Sequence, residues 1–246
     1  NLPCQQSENF INGSFTGLGQ ALLTALFLEE IDLKNGNIGL DKNNRVIKID
    51  GDYCFSEFYY HKKNFNITPN TLANLPNLKD YYVFNWLYLI INEKDKLTSQ
   101  IIPADIGKKP QFRDEINQAI VKICLLPDEF IERFVDAYIP AGGERFIKLI
   151  TKRRNQLLSS ALQNESFNDY LKKPQALSDS KALWAHIKSF QTGKSFIIAP
   201  DKQASLEQAL TQRLTLLSLS DGIKPVLPTP VITKTNHRSP LIHSTE

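Results

Sequence analysis

Residues 29–52 read E-E-I-D-L-K-N-G-N-I-G-L-D-K-N-N-R-V-I-K-I-D-G-D, and four of them have the types and spacing that phosphoryl transfer uses. Asp32 stands five residues before Asn37, and Asp50 follows Asn37 by thirteen. A chain that doubles back between Asn37 and Asp50 gathers all three around one small volume. In such a volume one carboxylate orients an incoming hydroxyl, and two oxygen ligands hold a hard cation such as Mg2+ against the phosphates of ATP. Lys34 is spaced to meet the transferring phosphate as a point charge.

The elements that must position these residues are legible nearby. The pattern predicts a loop over 32–36, a strand over 37–40, a polar turn over 41–44 and a second strand over 45–49. The turn D-K-N-N is built from residues that close tight connections, and Val46-Ile47-Lys48-Ile49 is a β-branched run. Upstream, Leu18, Ala21, Leu22, Ala25, Leu26 and Phe27 predict a helix over 17–29 that is apolar nearly all round, hence a core helix running straight into the loop. The same residues also fit an ordinary hairpin with a solvated acidic turn, since Asp, Asn and Lys are common in loops.

At these positions the chain resembles the protein-kinase-like superfamily. D-L-K-N-G-N stands where its catalytic loop D-x-K-x-x-N stands, and Ile49-Asp50-Gly51 where its metal-binding D-F-G does. The resemblance implies Asp32 as catalytic base, Lys34 as a phosphate contact, and Asn37 and Asp50 as magnesium ligands, with Asp52 holding a second metal or capping the turn. Ile31 replaces the Arg that often precedes the catalytic Asp, which argues against control by a phosphorylated activation loop. Gly51 replaces the Phe of D-F-G and Asp52 its Gly.

The stretch V-I-K-I-D-G-D-Y-C-F, with an aromatic and then basic segment behind it, is most similar to the phosphoinositide-kinase-like (LepB-like) modules of secreted effectors of intracellular bacteria. His61-Lys62-Lys63 looks like the basic cluster with which phosphoinositide kinases hold an anionic headgroup; a solvated loop is the plainer reading. By this resemblance ATP and Mg2+ are the cofactors, and nucleotide, an anionic membrane lipid and a host protein are the partners. The implied location is cytoplasmic, reached by secretion into a host cytosol, and membrane-associated. The D-x-x-x-x-N spacing also resembles aminoglycoside and choline kinases, so small-molecule and protein acceptors stay open. Two other readings stand beside an enzyme: an inactive kinase-like module that engages a host protein or small GTPase, and a helical interaction domain in which the hairpin is incidental.

Composition is that of a globular chain, with 41% hydrophobic and 22% charged residues, and the net charge of +3 is too small to announce a nucleic-acid binder. No apolar run is long enough to span a bilayer, and the first residues lack the pattern of a secretory leader. Cys4, Cys54 and Cys124, like His61, His186, His237 and His243, are scattered, which fits free thiols and argues against a zinc site. The chain contains no Met, even at position 1, so it reads as a processed protein or a piece of a larger one. A kinase-like fold also needs an upstream lobe with a phosphate-covering loop and Lys, for which the residues before Asp32 are too few.

The expected class is α+β and predominantly α-helical, a kinase-like C-terminal lobe with a catalytic-loop β-hairpin. The organisation expected is a helical lobe over 1–175, a helical extension over 176–220 and a Pro-rich disordered tail over 221–246. Within the lobe, residues 1–14 read as irregular, 80–91 as the central buried helix with Trp86 in its packing, and 103–110 as a loop. Helices are predicted over 111–126, 128–138, 144–162, 180–190 and 201–219, with Ser178, Asp179 and Ser180 as capping candidates. Lys148, Lys152, Arg153 and Arg154 read as a solvated helix face or one that rests on an anionic membrane. Ala141-Gly142-Gly143 is a turn and Gly193-Lys194-Ser195 lacks the upstream glycine of a phosphate loop.

Overall fold

The computed structural model describes residues 6–33, 35–51, 53–55, 58, 66–76, 78, 88–89, 99–100, 104–126, 128–139, 141–191, 208 and 212. It is predominantly helical, with two small antiparallel ribbons. In chain order the helices are α1 (Ser7–Ile11), α2 (Leu18–Phe27), α3 (Pro69–Asn74), α4 (Pro110–Leu125), α5 (Asp128–Tyr138), α6 (Glu144–Ala161), α7 (Glu165–Leu171) and α8 (Pro174–Gln191). The strands are β1 (Ile38–Leu40) paired with β2 (Val46–Lys48), and β3 (Tyr88–Leu89) paired with β4 (Ser99–Gln100). Short 3-10 turns occupy Asn35–Asn37 and Ala104–Lys108.

The core forms where the apolar side of α4 meets α2, α6, α7 and α8. Helix α4 contributes Phe112, Ile116, Ile120, Val121 and Leu125, spaced for one broad stripe, and α2 contributes Leu18, Leu22, Leu23, Ala25 and Leu26. The approach of α2 to α4 is close because Gly19 has no side chain: a Cβ there would lie 2.7 Å from the Phe112 carbonyl oxygen. Glu115 of α4 seals the same contact, its two carboxylate oxygens accepting from the backbone N–H groups of Gly17 at 2.7 Å and Gly19 at 2.9 Å. That carboxylate satisfies donors the first turn of α2 leaves open and faces the positive end of its dipole.

Helix α8 starts at Pro174, so residue 175 lies in its first turn, and Ala176 belongs to the same core as α2 and α4. Helix α3 is started by Thr68, whose hydroxyl accepts from the Thr71 N–H at 3.0 Å with Pro69 in the first helical position. Thr68→Ala is expected to cost about 1 kcal/mol of stability, read as a lower urea midpoint at unchanged slope.

Several expectations are corrected. Residues 88–89 of the stretch 80–91 form β3, not part of a central helix; the central helix is α4. The run Tyr-Tyr-Val-Phe and Leu-Tyr-Leu-Ile-Ile is aromatic and branched, and such residues suit a pleated strand as well as a buried helix. Residues 7–11 are helical rather than irregular. Arg153 and Arg154 are buried, 3% and 4% exposed, because Arg153 reaches two backbone carbonyls and a carboxylate and Arg154 one of each; of the four, Lys148 and Lys152 keep to the surface. Asp179 caps nothing: it lies inside α8, where it is buried and accepts hydrogen bonds from Tyr170 and Gln118. Burial, then the Asp179 acceptor, pushes the Tyr170 hydroxyl well above its ordinary pKa. Trp86, the helix over 201–219 but for Gln208 and Gln212, and the tail over 221–246 lie outside the described residues. No helix of the described residues is long and apolar enough to cross a membrane.

Candidate active site

The hairpin lies beside α2, and its register is set at both ends. In the turn, the Asp41 carboxylate accepts from the N–H groups of Asn43 at 2.8 Å and Arg45 at 2.9 Å, bonds that lower its pKa, while Asn44 takes the left-handed conformation at φ 59°. Ile38 pairs with Lys48, Gly39 with Ile47 and Leu40 with Val46. The ladder extends one step past the strands, where the Ile49 N–H donates to the Asn37 carbonyl at 2.9 Å. The second strand is also stitched to the segment before α2, Val46 N–H donating to the Thr16 carbonyl at 2.8 Å.

This register brings Asn37 to Asp32 and sets Asp50 directly after Asn37's ladder partner. The Asn37 side-chain N–H group donates to the backbone carbonyl of Asp32 at 2.8 Å and approaches its carboxylate Oδ2 at 3.4 Å. Asn37 is buried, Asp32 half-buried and Asp50 exposed. Because the amide nitrogen of Asn37 is turned toward Asp32, its amide oxygen is the atom turned away. Asp50 holds φ 64°, a left-handed conformation that costs a non-glycine residue energy and has to be imposed by its surroundings. Ile47 and Ile49, two residues apart on one face of the strand, are 41% and 50% exposed beside it.

Two buried carboxylates missed by the sequence reading hold this arrangement. Glu29, at φ 55°, meets Arg153 Nη1 at 2.6 Å, and the same guanidinium donates to the carbonyls of Phe27 at 2.6 Å and Leu26 at 2.7 Å. Arg153 thereby closes the carboxyl end of α2, giving the Phe27 carbonyl a donor and joining the Glu29 N–H, at 3.2 Å, on that of Leu26. Glu30 accepts from the Asp32 backbone N–H at 3.0 Å, from Lys48 Nζ at 2.8 Å and from the Cys54 thiol at 3.1 Å. Burial first, then the bond to Glu30 and its charge, push the Cys54 thiol up to about 12. Lys48 Nζ also donates to the backbone carbonyl of Asp50. Strand alternation was the available signal, since it puts Lys48 on the inward side with Val46.

The chain after Asp50 folds back over the loop. The Phe55 N–H donates to the Leu28 carbonyl at 2.6 Å and the Ile31 N–H to Tyr53 at 3.4 Å. Phe55 and Phe58 then pack edge-on against Phe146, with ring centroids 5.4 and 4.9 Å away, in a small cluster with Ile131 and Val135.

Of the site residues expected from sequence, the structure brings together Asp32, Asn37 and the backbone of Asp50. Lys34, Asp52, His61, Lys62 and Lys63 lie outside the described residues. Among the described residues no group of three or more His, Cys, Asp or Glu side chains is placed to hold a metal ion. Compared with protein-family models, curated proteins and solved structures, the chain matches none.

Proposed function

We propose that this chain carries the helical lobe of an ATP-dependent phosphotransferase, a phosphoinositide-kinase-like effector acting on host membrane lipid. The observation that supports the reading is the bond from Asn37 to Asp32 with the Ile49–Asn37 ladder step beside it, which puts Asn37 against Asp32 and Asp50 next in the chain after Asn37's ladder partner. The donor set suits magnesium: Asn37 and Asp50 offer hard oxygen ligands, and few protein ligands are needed where nucleotide phosphates and water complete the shell. Magnesium, when bound with nucleotide, supplies neutralisation of charge on the phosphates. Asp32 orients the acceptor hydroxyl and takes its proton as the acceptor oxygen bonds to the γ-phosphorus and the bond from that phosphorus to the bridging oxygen breaks, releasing ADP; Lys34 offsets charge on the transferred group. His61, Lys62 and Lys63 are the proposed headgroup contacts, and Asp52 an additional metal ligand or turn cap.

Asp50→Ala is expected to remove Mg2+-dependent nucleotide binding, at least about a tenfold weakening, in a calorimetric titration of the full-length protein with and without Mg2+. Equal binding by Asp50→Ala and the parent would sink the metal-ligand assignment. One observation favours a second reading, an inactive module engaging a host protein or small GTPase: Asn37 is only 6% exposed, as a residue that merely braces a hairpin would be. Nucleotide binding without transfer to lipid, small-molecule or protein acceptors would select it.

A further inference from the structure

Glu30 is 2% exposed, and a carboxylate in that position is costly unless its charge is used. Its Oε1 holds the backbone N–H of Asp32, and its Oε2 holds Lys48 Nζ and the Cys54 thiol. Lys48 passes the connection on to the carbonyl of Asp50, the residue held at φ 64°. One buried ion pair thus ties the loop that carries Asp32, the strand that leads to Asp50 and the segment that leaves it. The hairpin ladder fixes Asn37 against Ile49, one residue before the turn at Asp50.

We propose that Glu30 and Lys48 are positioning residues that fix Asp50 relative to Asp32, so that a magnesium-bound nucleotide and the acceptor hydroxyl meet in one geometry. The inference rests on the phosphotransferase reading. Its physical basis is that one ammonium, that of Lys48, meets both the buried Glu30 carboxylate and the carbonyl of the left-handed turn at Asp50. Partners of this kind, behind the metal ligand, typically change metal affinity about 10–100-fold when removed.

Two measurements on the full-length protein test it. The first reads the knot without any transfer activity: amide hydrogen exchange at Asp32, whose backbone N–H donates to the Glu30 carboxylate at 3.0 Å. Glu30→Ala takes away the carboxylate that accepts this N–H, so exchange at Asp32 in the folded protein should speed up about tenfold or more. An unchanged rate would overturn the knot itself. The second is the Mg2+ concentration that half-saturates ATP binding. Lys48→Met should raise it about 10–100-fold, Lys48→Arg should restore it to within about threefold, and Glu30→Gln with Lys48→Met should match Lys48→Met alone, because the pair acts as a unit.

The double variant removes both charges, which guards against a fold lost to one unpaired buried charge. An unshifted Mg2+ midpoint in folded Lys48→Met would overturn the positioning role. If the parent binds no Mg-ATP while exchange at Asp32 still responds to Glu30→Ala, the phosphotransferase reading falls and takes the positioning role with it, leaving the knot as architecture.

Discussion

Asp32→Asn is expected to lower phosphate transfer by about 10²–10⁴-fold while leaving the Kd for Mg-ATP within about threefold of the parent. Asn has the size of Asp but cannot take a proton from the acceptor. The substitution leaves the loop intact, because Asn37 donates to the backbone carbonyl of residue 32 at 2.8 Å and Glu30 accepts from its backbone N–H at 3.0 Å, neither of which involves the side chain. The Asn37 approach to Oδ2 at 3.4 Å has an equivalent in the Asn amide oxygen. Single-turnover kinetics beside equilibrium binding separate the two quantities. A variant with parental turnover would remove Asp32 from the chemistry, and one that no longer binds nucleotide would give it a role in binding.

Arg153→Ala is expected to lower unfolding free energy by about 3–5 kcal/mol. The loss has two sources. Glu29, 2% exposed, keeps its charge in the core without the guanidinium that meets it at 2.6 Å. The carbonyls of Leu26 and Phe27 each lose a donor at the end of α2, where Leu26 keeps the Glu29 N–H at 3.2 Å. Arg153→Met combined with Glu29→Gln should cost less than Arg153→Ala alone, since neither change then strands a charge. Urea unfolding measures both, and a loss below about 1 kcal/mol for Arg153→Ala would contradict the clamp. Glu29 stands three residues before Asp32, so the same clamp anchors the start of the loop.

The hairpin was legible because its turn chemistry and its β-branched strand agree, and Asp41 and Asn44 do in the structure what those residue types do in tight turns. Helix α5 was legible to its ends because acidic residues open it and apolar ones recur along one face. The failures came where side-chain chemistry suits two environments. Arg153 and Arg154 look like surface charges in a sequence, and only the carbonyls and carboxylates contributed by distant segments make them core residues. Asp179 looked like a cap because Asp commonly is one; its partner Tyr170 on α7 was not visible along the chain.

Within the site, the contact of Asp32 with Asn37 followed from a spacing of five residues. The Glu30–Lys48 pair did not, because it depends on how the end of α2 packs against β2.

The most direct test of the proposed phosphotransfer site is transfer of the labelled γ-phosphate of Mg-ATP by the full-length protein, with phosphoinositide vesicles and a soluble protein mixture as competing acceptors. Label in the lipid fraction, dependent on Mg2+ and lost in Asp32→Asn, is the predicted result. Label in protein or in small molecules instead would keep the site and displace the lipid. No label in any acceptor from a folded protein would contradict the account.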